Sequence, residues 1–235
     1  MTLRQFILLI ALLAGIVLGV LEIRHGRSDV SSPQQPEKPV AVTIVKQPPT
    51  ITQRTFDPAA PPPDMPPLGR GEVAVCDSNF VSSANVAGES RRKDPAHATL
   101  TVTHVTVALQ LNITIWIPTG ATQRVIDHED GHRQISEYFY QSAGKVADQI
   151  AQTYIGKTAE ITGGDLNDGS RETLGQMAAE ITDQYDKQLN PNPTQLLYDT
   201  ITDHSRNDID AKGAVESAIN SAAIAAIQPA AAPAN

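Results

Sequence analysis

The stretch Ala98–Ile117, ATLTVTHVTVALQLNITIWI, and the residues that follow it decide how this chain folds. It is rich in Thr, Val, Ile and Leu, and its alternation of polar and apolar positions suits strands with one face buried. It reads as two strands with a turn or bulge near Ala108–Gln110. Pro118, Thr119 and Gly120 then end the run with turn chemistry. From about Thr122 to Ile155 the period changes: Val125, Ile135, Phe139, Val146, Ile150 and Tyr154 recur at helical spacing, and Gly156 stands where such a helix would stop.

Downstream, Asp165–Gly169 is a polar loop, and a second helix is expected from about Ser170 to Leu189. Asn190-Pro191-Asn192-Pro193 ends it, because two prolines preclude continuation. Thr194 can cap a third helix carrying Leu196, Leu197 and Ile201, with Ala-rich helix toward Ile227. A sheet followed by helices makes the class α+β: a small antiparallel or mixed sheet, then a helical half.

Upstream, residues 71–80, GEVAVCDSNF, are strand-like. They hold Cys76, the only cysteine, so no internal disulfide can form. Cys76 reads as a small buried apolar residue. Residues 28–70 are dominated by Pro, Gln, Ser and Thr, too poor in large apolar groups to offset the entropy of ordering, and read as an extended linker. A short strand around Val40–Val45 fits within it. The folded domain is therefore expected over 71–227, with a frayed tail at 228–235. Residues 1–27 carry Arg4, an uncharged apolar run from Phe6 to Leu21, then Glu22, Arg24 and Arg27. This pattern is an export signal with no clear small-x-small cleavage site, which favours an uncleaved inner-membrane anchor over a removed leader. The expected location is the bacterial periplasm, or outside the cell if the segment is cleaved. A net charge of -8 and a pI of about 5.2 argue against nucleic acid as a partner.

Within the first helix lies His128-Glu129-Asp130-Gly131-His132, an H-E-x-x-H pattern. Residues i and i+4 stand one turn apart on one helix face, so both imidazoles can reach one metal ion. Glu129, rotated by about 100° from His128, can stand beside that ion as a general base without ligating it. Zinc would lower the pKa of water to about 7 and polarise a scissile carbonyl. Gly131 costs helix stability in mid-helix, which asks for a reason such as the close approach of a neighbouring element.

A catalytic zinc needs a third protein ligand. The extension that would supply it nearby is missing, since Ile135 and Tyr138 occupy the required Gly and His positions. Glu180, and less so Glu160 or Glu172, are candidates from the following helix. His204 is favoured, because it falls on a predicted helix beyond a proline-punctuated loop that can fold back. His104 reads as a satisfied sheet histidine, and His25 and His97 sit in an export flank and a polar loop.

HEDGH on a helix after a strand, followed by Tyr198-Asp199-Thr200-Ile201-Thr202-Asp203-His204, resembles a family of bacterial secreted zinc-dependent proteases whose motifs are HE-x-GH and YD-x-x-T-x-HG. Tyr198, Asp199, Thr202 and His204 match the second motif, and Ser205 stands where that family usually has Gly. The resemblance spans roughly residues 71–213. It implies a zincin-like metallopeptidase with His128, His132 and His204 as zinc ligands and Glu129 as the catalytic base, acting on a peptide or protein substrate. Tyr198 reads as an oxyanion donor or a helix-packing residue, and Asp127, Asp199 or Asp208 as a support for a ligand imidazole, with Asp208 favoured by its i+4 spacing. Two further readings compete: a non-catalytic envelope module stapled by zinc, and a tethered interaction domain without metal.

Overall fold

The computed structural model describes residues 41–227. The apolar segment 1–27, the start of the Pro-rich stretch and the tail at 228–235 therefore lie outside the described residues. Among the described residues no helix is long and apolar enough to cross a membrane.

The run Ala98–Ile117 lies within one strand. β4 (His97–Pro118) extends for 22 residues and forms the spine of a five-stranded sheet. β3 (Val75–Asp94) pairs antiparallel along one side of it. The other side is shared by β5 (Thr158–Thr162), antiparallel at the start of β4, then β1 (Ala41–Lys46) and β2 (Thr50–Phe56), both parallel to it. The sheet is thus mixed, and the class α+β holds.

The expected turn near Ala108–Gln110 is absent, and the break in alternation lies earlier. Ala98, Leu100 and Val102 are buried, then Val105, Val107, Leu109, Leu111 and Ile113, so the buried phase changes from even to odd across Thr103 and His104. Opposite this step the β3 register shifts between Ala87 and Gly88. One extra residue in β4 makes a β-bulge, which returns the apolar side chains to the core face. Gly88 is fitted to it, because a Cβ there would lie 2.6 Å from the Thr101 carbonyl oxygen. His104 meets Thr106 Oγ1 at 3.2 Å and Thr43 Oγ1 at 3.4 Å, a satisfied sheet histidine.

The linker expected to run to Arg70 ends much sooner, since β1 and β2 lie inside it. Their side chains are mostly exposed or half-buried, and Phe56 alone in β2 is buried. Ladder hydrogen bonds to β4 hold this segment, and those are invisible to a count of apolar residues. Arg54 packs 4.0 Å from the Trp116 ring centroid and pairs with Asp64 of the Pro-rich loop at 2.5 Å.

Four helices complete the described chain: α1 (Gln123–Gln152), α2 (Leu166–Gln188), α3 (Asn192–Thr202) and α4 (Ala211–Ile227). The later part of α1 lays Tyr140, Ala143, Ala147, Ile150 and Ala151 into the main core with the inward residues of β4 and with Ile181, Tyr185 and Leu189. α2 starts earlier than expected because Asp165, accepting from the Asn167 and Asp168 amides, caps it. α3 likewise starts ahead of Thr194, which is buried and is not the cap. A smaller cluster of Ile135, Tyr198, Ala214, Val215 and Ala218 joins α1, α3 and α4. It fixes α3 against the early turns of α1, where the motif residues lie.

Candidate metal centre

Along α3, Gln195, Tyr198, Asp199 and Thr202 fall at i, i+3, i+4 and i+7, one face of a helix. That face meets His128, Gly131, His132 and Ser136 of α1 residue by residue. Tyr198, fully buried, lies flat on the His128 ring with centroids 5.0 Å apart and planes at 15°. Its hydroxyl donates to the His128 carbonyl oxygen at 3.2 Å. The mid-helix glycine is explained by this contact: a Cβ on Gly131 would stand 2.1 Å from the Tyr198 hydroxyl oxygen. Tyr198 is therefore the packing tyrosine of the two roles considered for it.

Three donor atoms converge in front of this packing. His128 Nε2 and His132 Nε2 are 3.3 Å apart, and Asp199 Oδ1 lies 3.3 Å from the first and 2.9 Å from the second. His128, His132 and Asp199 can hold a metal ion. Tetrahedral coordination with bonds of about 2.0–2.1 Å sets donors about 3.3 Å apart, so the spacing fits. Burial alone would raise the Asp199 pKa, yet hydrogen bonds from His128 and His132 hold it well below the usual carboxylate range. Burial also opposes charge on His132, but Asp199 and Glu129 prevail and raise its pKa. The cluster draws in positive charge, as a proton or as a metal ion.

His204 stands beside this trio. Its Nδ1 lies 3.5 Å from Asp199 Oδ1 and is a buried nitrogen with no hydrogen-bond partner among the described residues. The helix expected to carry it has already ended: α3 stops at Thr202, and Asp203, His204 and Ser205 have φ of 47°, 50° and 63°. Three successive left-handed residues are costly for side chains with a Cβ. Ser205 adopts such a conformation at the position where the resembling motif has Gly.

Glu129, 4% exposed, is buried beside the cluster, and burial pushes its pKa up to about 7, with His132 pulling the other way and Glu72 and Asp199 adding to the rise. It lines a cleft of about 490 Å³ together with Cys76, Ser78, Asp186, Gln195 and Asp199. Burial, then the Glu129 charge, pushes the Cys76 thiol up to about 12.

The remaining candidates are engaged elsewhere. Glu180 accepts from the Tyr154 hydroxyl at 3.0 Å, Glu160 pairs with Lys93 at 2.8 Å, and Glu172 accepts from Gln176 at 3.4 Å. Asp208 pairs with Arg124, and Asp127 accepts from Gln123 at 2.8 Å. His97 is bonded to Asp94 at 2.8 Å. Asp199, read from sequence as one of three supports for an imidazole, is instead a donor of the cluster. Gln195, Ser136 and Thr202 escaped any assignment of a role, although the i, i+3, i+4, i+7 spacing from Gln195 to Thr202 was a readable signal. Comparison with protein-family models, with curated proteins and with solved structures finds no match.

Proposed function

We propose that the chain is a zinc-dependent metallopeptidase, with Glu129 as its general base. The observation that carries the reading is the convergence of His128 Nε2, His132 Nε2 and Asp199 Oδ1 at ligand spacing beside a buried glutamate that opens on a cleft. These three residues would hold the ion, and His204 sits next to Asp199. When bound, zinc supplies Lewis acidity that polarises a scissile carbonyl and makes water readily deprotonated near neutral pH.

The chain's own residues supply the proton handling. Glu129, with its pKa raised to about 7, can take a proton from water as the water oxygen bonds to the scissile carbonyl carbon, and pass that proton to the amine that leaves as the peptide C–N bond breaks. The 490 Å³ cleft admits a segment of polypeptide beside that carboxylate. The apolar run Phe6–Leu21 supports an envelope location for this activity. In the full-length protein, Glu129→Gln is expected to retain zinc while turnover of a peptide substrate falls at least about a hundredfold. Turnover at the parent rate would remove Glu129 from the chemistry.

One observation favours a second reading. The unpartnered Nδ1 of His204 could complete four protein donors, and a closed set of four marks a structural zinc, not a catalytic one. On that reading the parent hydrolyses nothing and zinc removal unfolds the chain.

A further inference from the structure

We infer that Gln195 and Thr202 set the tautomers of the two motif histidines, locking a proton on each Nδ1 and leaving each Nε2 free to bind a metal ion. The inference rests on the metal-centre reading above and assigns two positioning residues to it. His132 is fixed through the Gln195 amide. Gln195 Nε2 lies 3.1 Å from the His132 carbonyl oxygen and 3.0 Å from Ser136 Oγ. A carbonyl oxygen can only accept, so the nitrogen of the amide must face it. The amide oxygen then faces His132 Nδ1, at 2.6 Å. That oxygen can only accept as well, so Nδ1 must carry the hydrogen, and in the neutral ring it is Nε2, pointing at His128 and Asp199, that keeps the lone pair.

His128 is fixed by the same logic with a hydroxyl. Thr202 Oγ1 donates its single hydrogen to the Tyr198 carbonyl oxygen at 2.8 Å. Toward His128 Nδ1, at 3.2 Å, it can therefore only accept, and that nitrogen must be the donor. Two independent polar contacts thus turn two Nε2 lone pairs toward each other across 3.3 Å, next to a carboxylate oxygen. With both rings neutral these three acceptors repel unless a proton or a metal ion lies between them, and that proton is what a bound metal ion would displace. Orienting partners of this kind are worth about 10–100-fold in metal affinity.

The test is zinc affinity, measured by competition with a chromophoric chelator on the full-length protein and its variants. Gln195→Leu removes the acceptor facing Nδ1 and should weaken zinc about 10–100-fold, while the metal-free variant still melts cooperatively. Gln195→Glu keeps an acceptor at Nδ1 but loses the donor to the His132 carbonyl and Ser136, and should stay close to the parent. Thr202→Val should weaken zinc in the same direction as Gln195→Leu. Equal losses in the Leu and Glu variants would make Gln195 a structural bridge and overturn the inference, as would parent-like affinity in Gln195→Leu. Histidine ¹⁵N spectra of the zinc-loaded protein should show Nε2 ligated and Nδ1 protonated in both rings; ligation through Nδ1 also overturns it. A parent that binds no zinc fails at the earlier step, removing the metal centre itself and this inference with it.

Discussion

Helix α1 is held at its two ends by different physics. Its later half is packed dry: Ala143, Ala147, Ile150 and Ala151 press small and branched side chains onto the core face of β4. Its early half is held by direction. His128, Gly131, His132 and Ser136 meet Tyr198, Asp199, Gln195 and Thr202 through stacking and hydrogen bonds of set geometry. The dry end tolerates a change of shape at a cost proportional to lost contact. The polar end admits one arrangement only, because each buried donor and acceptor must find its partner.

The contrast can be broken in several places. The largest expected effect is chemical. At pH 8 a thiol with its pKa near 12 is almost wholly protonated, so alkylation of native Cys76 should be slower than that of an unfolded cysteine by on the order of a thousandfold. The rate should climb only as pH rises toward 12 or when the chain is unfolded. Timed iodoacetamide labelling checks this, and fast labelling of the folded protein would show that burial and the Glu129 charge do not hold the Cys76 thiol protonated.

Next in size, Ile150→Ala should cost about 3 kcal/mol in denaturant unfolding while the surviving folded protein binds zinc as the parent does. Gly131→Ala is the counterpart at the other end. It forces Tyr198 from its place and should cost about 2 kcal/mol, with zinc binding lost even below the unfolding transition. Metal titration beside the melts separates the two variants, and equal zinc affinity in both would erase the distinction between the ends.

The smallest effects are gains. Gly144→Ala, on the same helix, places its Cβ at an ordinary 3.7 Å from Lys46 Cδ and should stabilise by up to about 1 kcal/mol. Ser205→Gly should add about 0.5–1 kcal/mol by relieving a left-handed residue, without loss of zinc. A loss of stability in Ser205→Gly would show that the Ser side chain, and not the backbone, sets that turn.

The same division explains what could be read from sequence. Apolar periodicity announced the core of β4 and α1, since Leu100 to Ile115 and Ile135 to Ile150 declare their faces by hydrophobicity alone. The bulge at Thr103 was present as a slip of phase but was placed some five residues too late. β1 and β2 were legible only as a hint at Val40–Val45, because they are held by ladder bonds to a strand far away in the sequence and bury little. β5 left no signal of its own. At the site, His128, Glu129 and His132 follow from the spacing of one helix. Asp199 as a donor depends on how α3 packs on α1, and His204 on a left-handed turn that helical periodicity could not announce. Gly131 is the exception: its need for a close neighbour was readable, and that neighbour is Tyr198.

The most direct measurement is elemental analysis of the purified full-length protein beside His132→Ala and Asp199→Ala. Near-stoichiometric zinc is expected in the parent, and its loss in both variants. A parent without bound metal, or an Asp199→Ala variant that keeps it undiminished, would contradict the His128–His132–Asp199 centre.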